Sequence, residues 1–254
     1  MATNKMNQRG QITIFIILAL IIIVILAMFF LVFKAPEPEV IDEDNPQAFI
    51  ESCTKQAVEE ALEVLMPSGG DIIPKGSIMY NDLERTYLCY NANYYSPCIN
   101  QRPLLIEHIE NEITSYIEPR VANCFNILES KLENRYTIES GEMQIQTKLS
   151  SGLISINIDK HFKMSRAEIV RNFENFKVSI PHPLYELSKV ALEIVNLEAR
   201  FCNFDILGYM IFYPKYDMDK FRTGDSNIIY TINDRATNEE FMFAIRSCAL
   251  PPGF

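Results

Sequence analysis

Between Ile12 and Phe33 the chain runs for 22 residues without a charge. As a helix this stretch would extend roughly 33 Å at ~1.5 Å per residue, enough to cross a bilayer once. A removable secretory signal has a shorter apolar core and a small-residue cleavage site behind it, and "MFFLVFKAPEPE" offers no such site, so the segment is read as retained. Lys5 and Arg9 precede it. Lys34 follows it, and then come Glu37, Glu39, Asp42, Glu43 and Asp44 before the next cation, Lys55. This asymmetry places residues 1–10 in the cytoplasm as a basic leader, residues 11–33 in the cell membrane as a single-pass transmembrane helix, and everything beyond outside.

The junction itself carries a second signal. The run "RGQITIF" resembles the class III signal of archaeal type IV prepilin-like proteins, in which a prepilin peptidase cuts between the glycine and the residue before the apolar run. The resemblance implies processing between Gly10 and Gln11, with the freed apolar helix as the mature amino terminus. It covers Arg9 to Phe33. Bacterial pilins keep a Glu at the fifth mature position, where this chain has Phe15; archaeal members often lack it. An "RGQ-x-TIFI" opening and an early "ESC" are also loosely similar to uncharacterised surface-anchored proteins of small-genome archaea, a likeness that implies no activity. An uncleaved signal anchor is the competing reading of the same residues.

Beyond the membrane the chain is acidic. Removing Lys5, Arg9 and Lys34 leaves 20 bases against 33 acids, a net −13. Such a domain repels phosphate polymers and anionic lipid headgroups, which excludes nucleic acid as a partner. Residues 34–45, with alternating prolines and acids, read as an extended stalk. Pro36, Pro38 and Pro46 interrupt the continuous helix that a filament subunit needs, which favours a solitary or pseudopilin-like role over a major pilin.

The remainder reads as α+β in two parts: a helical cysteine-containing region at 46–135, then a domain at 136–254 with an antiparallel sheet and one packed helix. Asn45 caps and Pro46 opens a helix to Met66, with Phe49, Cys53, Ala57, Ala61 and Leu65 at four-residue intervals. Residues 71–100 read as short extended pieces and turns with five tyrosines (Tyr80, Tyr87, Tyr90, Tyr94, Tyr95), read as core area in preference to a ligand platform. A helix from Pro103 presents Ile106, Ile109, Ile113 and Ile117 on one face, then kinks or restarts at Pro119 and presents Val121, Cys124, Leu128 and Leu132. From Tyr136 the period becomes two, predicting a hairpin through "SSG", a further strand in "FENFKVSIP", a helix from Pro183, and strands in "NIIYTIN" and "EFMFAIRSC".

All six cysteines lie beyond the apolar run, in the oxidising compartment that the topology predicts. Six cysteines allow 15 pairings. The favoured one joins Cys53 to Cys124 between the two helices, Cys89 to Cys98 across a short loop, and Cys202 to Cys248. A thiolate zinc site is the competing use, but there is no C-x-x-C.

No recognisable chemistry accompanies this frame. His108 in "LIEHIENE" lacks the second histidine of a helical zinc site and is read as a partly solvated helix residue; His161 follows a strand, and His182 sits between Pro181 and Pro183. There is no G-x-S-x-G, Walker loop or dinucleotide glycine pattern, and no N-x-S/T sequon. "YDMDKFRTGDSN" departs from a calcium loop at its third ligand, its glycine and its closing Glu, and is read as a solvated hairpin connection. No catalytic residue, cofactor or metal is assigned. The expected function is a non-enzymatic, membrane-anchored extracytoplasmic protein with a structural or interaction role, whose partners are the lipid bilayer, a prepilin peptidase, and surface proteins or filament components. The alternative is an extracytoplasmic enzyme or solute-binding receptor, with a site assembled from residues such as His161, His182 and the acids around Asp217.

Overall fold

The computed structural model describes residues 45–93 and 95–248, together with Leu18 and Ile22. Leu18 and Ile22 are helical and exposed; the rest of the apolar run, the leader, the Gly10–Gln11 junction and most of the stalk lie outside the described residues. Among the described residues no helix is long and apolar enough to cross a membrane.

The described residues from 45 to 248 form one compact unit. Helix α1 (Pro46–Leu65) starts as the sequence predicts: Asn45 Oδ1 accepts the Ala48 N–H at 3.2 Å and Pro46 occupies the first turn, where its missing N–H costs nothing. Its buried stripe is Ile50, Ala57, Val58, Ala61, Leu62 and Leu65, while Phe49 and Cys53 sit half-buried at the edge. A 3-10 turn at Met66–Ser68 follows. Helix α2 (Leu105–Leu132) runs through Pro119 as one element, so the chain does not restart there. It buries Ile109, Ile113, Ile117, Val121, Cys124, Phe125 and Leu128. Cys53 bonds to Cys124 with Cα atoms 6.4 Å apart, tying α1 to α2.

Instead of one antiparallel sheet there are two sheets. The first is the predicted hairpin, extended by a third long strand: β4 (Thr137–Ser150), β5 (Leu153–Arg166) and β6 (Ile169–Pro181), all antiparallel. Ile154, Ile156, Ile158 and Phe162 alternate inward along β5, as period two requires. Phe125 of α2 packs on Phe162 and edge-on to Phe176, with centroids 6.2 and 5.2 Å away. Glu110 of α2 accepts the Leu149 N–H at 2.9 Å and pairs with Lys148 at 3.1 Å, holding the helix to β4.

The second sheet has the order β1-β2-β9-β8-β7, with β3 beside β2. Its strands are β1 (Ser77–Tyr80), β2 (Leu83–Tyr90), β3 (Ile99–Asn100), β7 (Tyr216–Arg222), β8 (Ile228–Asp234) and β9 (Glu239–Arg246). β2 and β9 pair in parallel, with Tyr87 opposite Ala244. The early extended pieces therefore belong to the same sheet as the last strands. Seven of the twelve residues of the expected loop "YDMDKFRTGDSN" are strand β7, because Tyr216 and Met218 alternate inward; the connection to β8 is 223–227. Helix α3 (Leu184–Phe201), the helix predicted from Pro183, buries Leu187, Val190, Ala191 and Ile194 and touches strands of both sheets. A short helix without a counterpart in the sequence reading, α4 (Ile206–Phe212), lies against β7.

The remaining disulfides join Cys89 to Cys98 and Cys202 to Cys248, with Cα separations of 5.3 and 5.6 Å. All three favoured pairings are present.

Candidate functional site

Two clusters gather ionisable groups. The first forms where the chain leaves α1. Gly69 and Gly70 adopt φ +70° and +92°, and a Cβ on Gly70 would lie 2.8 Å from Ile109 Cγ1, so only glycine lets the turn press against α2. This delivers the Asp71 side chain, 3% exposed, beneath the start of that helix. Its Oδ2 accepts from Thr86 Oγ1 at 3.0 Å and Arg102 Nη2 at 3.1 Å, and its Oδ1 meets His108 Nε2. Burial alone would raise the Asp71 carboxyl pKa, but His108, Arg102 and Thr86 together outweigh it and hold the group below its ordinary value. Glu112 adds a bond to the Ile72 N–H at 2.9 Å. His108 is the partly solvated helix residue expected, and it is bonded to Asp71 as well. With every Asp71 oxygen occupied, the arrangement locks the turn, β2 and α2 together.

The second cluster lines a cleft of about 580 Å³ between α1 and the ends of β6 and β9. Glu59, Glu63, Glu239 and Glu240 border it with His182. The Leu184 N–H donates to His182 Nδ1 at 3.1 Å, which leaves the neutral ring's proton on Nε2, 3.5 Å from Glu239 Oε2. Burial lowers the His182 pKa despite the Glu239 carboxylate. The cleft is acidic and carries a neutral imidazole as a hydrogen-bond donor.

A buried network closes the far side of the fold. Glu198, fully buried on α3, accepts from Lys220 Nζ at 2.9 Å and from the Tyr230 hydroxyl. Lys220 also donates to Asn203 Oδ1 at 3.1 Å. Burial, with Glu198 beside it, raises the Tyr230 pKa strongly.

The residues proposed for a site assembled in space do not converge. His161 faces Glu174 at 4.0 Å across β5 and β6, His182 faces Glu239, and Asp217 pairs with Arg235 at 3.2 Å. Among the described residues no three His, Cys, Asp or Glu side chains are grouped to hold a metal ion. The tyrosines contribute less core than expected: Tyr80, Tyr87 and Tyr90 are half-buried and Tyr95 is 68% exposed, because on β2 the inward positions go to Thr86 and Leu88. Sequence reasoning missed Asp71, for which the adjacent glycine pair and the nearby helix start were the available signal. It also missed α4, whose side chains Leu207, Ile211 and Phe212 are 67, 77 and 81% exposed.

No family model, curated protein or solved structure matches this chain.

Proposed function

We propose that this chain is a single-pass, membrane-anchored extracytoplasmic protein with a structural or interaction role at the cell surface, in the manner of a minor pilin or pseudopilin. Its leader, residues 1–10, stays in the cytoplasm, a prepilin peptidase cuts between Gly10 and Gln11, residues 11–33 hold it in the bilayer, and the folded unit stands outside to meet surface proteins or filament components. The observation that carries this reading is cysteine use. All six cysteines pair, and none falls before residue 53, as befits a domain exported across the membrane. Amino-terminal sequencing of the protein from membranes tests the route: Gln11 as first residue supports it, and an intact Met1 or Ala2 removes the processing step. Trypsin added to intact cells tests the side, since a protected folded unit defeats the topology.

The second reading, an extracytoplasmic solute-binding receptor, draws on the cleft beside His182. Four carboxylates around about 580 Å³ suit a cationic amine. A thermal-shift titration with spermidine tests it: a saturable rise in Tm that Glu239→Gln abolishes supports a receptor, and no shift leaves the cleft as surface.

A further inference from the structure

The exposed helix α4 puts an uncharged apolar surface on a unit of acidic balance. From Ile206 to Pro214 the sequence "ILGYMIFYP" holds no charge, between Asp205 and Lys215. The helix is fixed by its inner face: the Tyr209 hydroxyl donates to Glu193 at 3.0 Å, the Tyr209 ring lies tilted against Phe204 at 5.3 Å, and Met210 Sδ accepts the Met218 N–H at 3.2 Å. None of its residues is fully buried. Leu207 and Ile211, four residues apart on one face, project outward together with Phe212. A rigid convex knob of apolar side chains in contact with water needs a cover.

We infer that α4 is an interfacial foot that inserts into the lipid surface and orients the folded unit on the membrane. This rests on the anchoring proposed above. The chain outside the described residues argues for lipid. The apolar run ends at Phe33 and α1 begins at Pro46, so residues 34–45 reach at most about 40 Å when extended, close to the span of a folded unit of this length. A stalk that short keeps the whole surface within reach of the bilayer and makes docking an intramolecular event. Area argues the same way: three side chains offer on the order of 500 Å², below the roughly 800 Å² per partner of a stable protein interface. Electrostatics selects this face as well, since a unit of net −13 approaches headgroups best through a charge-free patch. Lys215 follows it directly and Tyr213 stands at its end, an aromatic and a basic residue suited to a membrane interface.

The chain contains no tryptophan, so Phe212→Trp supplies a single indole reporter at an 81% exposed position. The full-length variant is reconstituted into neutral phosphatidylcholine vesicles with bromine on the acyl chains. Strong bromine quenching is expected, falling to the level of unbrominated vesicles when Leu207→Ser and Ile211→Ser are added, while the chain still pellets with the vesicles after an alkaline carbonate wash. Pelleting without quenching overturns the foot and leaves the anchor standing. Release in the wash overturns the anchor, and the foot with it. A blue-shifted indole that bromine does not quench means that protein covers α4, a second copy or residues 249–254, and also overturns the proposal.

Discussion

Replacing each disulfide by an alanine pair separates two accounts of what the cross-links contribute. Loop closure restricts the unfolded chain in proportion to the logarithm of the loop. The sequence separations are 71 for Cys53–Cys124, 46 for Cys202–Cys248 and 9 for Cys89–Cys98. The loop-entropy relation then gives losses of about 4.4, 4.0 and 2.6 kcal/mol in that order. Packing predicts Cys89/Cys98 as the worst loss, because Cys89 and Cys98 are 0 and 4% exposed whereas Cys53–Cys124 has one half-buried partner and Cys202–Cys248 has two. Urea unfolding of the three double variants in detergent, compared at constant m-value, decides between them. The expected order is Cys53/Cys124 worst and Cys89/Cys98 mildest. If the Cys89/Cys98 variant is the least stable of the three, the entropic account is refuted for this fold.

Asp71→Ala should cost about 3 kcal/mol, since it strands the buried Thr86 hydroxyl and removes the partner of the Arg102 guanidinium and of His108. That corresponds to a fall in Tm of roughly 6–12 °C by calorimetry. Because the Asp71 pKa is lowered on folding, its contribution is fully present above about pH 4 and is lost as pH falls through the folded value, so the stability gap to Asp71→Asn should narrow in acid titrations. Phe125→Ala, emptying the space between Phe162 and Phe176, should cost about 3–5 kcal/mol in urea unfolding. Lys220→Met, leaving Glu198 charged and fully buried, should cost about 3–5 kcal/mol, and adding Glu198→Gln should recover part of it.

What the sequence made legible was local. Caps, periods and turns each act within a few residues, so Asn45 with Pro46, the isoleucine stripe of α2 and the alternation of β4 and β5 could be read directly. The favoured Cys53–Cys124 pair drew on those elements, since each cysteine lies on or beside the apolar stripe of its helix. The parallel pairing of β2 with β9 left no such mark, because nothing within either strand encodes a partner more than 150 residues away. Asp71 and His108 meet across 37 residues through a turn whose geometry depends on α2 already being in place. Helix α4 escaped for another reason: seven residues give barely two turns, and a segment that buries no residue fully has no apolar period against a polar background.

That late pairing has a consequence for assembly. β9 sits between β2 and β8, so until it arrives two strands of the second sheet expose unpaired edges. Its carboxyl end is also where the fold is tied together: Ser247 Oγ accepts the Cys98 N–H at 3.0 Å and donates to the Glu198 carbonyl at 3.2 Å, and Cys248 closes on Cys202. The three-stranded sheet and the α1–α2 pair use no residue beyond Pro181 for their internal contacts of register and disulfide. Truncation after Asn238 should therefore keep Cys53–Cys124 but scatter Cys89 and Cys98 among mixed partners, because β2 loses the parallel neighbour that fixes its position. A mass map of unreduced peptides from the truncated chain reads this directly. Retention of a homogeneous Cys89–Cys98 bridge would show that β1, β2 and β3 hold their register alone, and that closure by the last strand is not what organises the sheet.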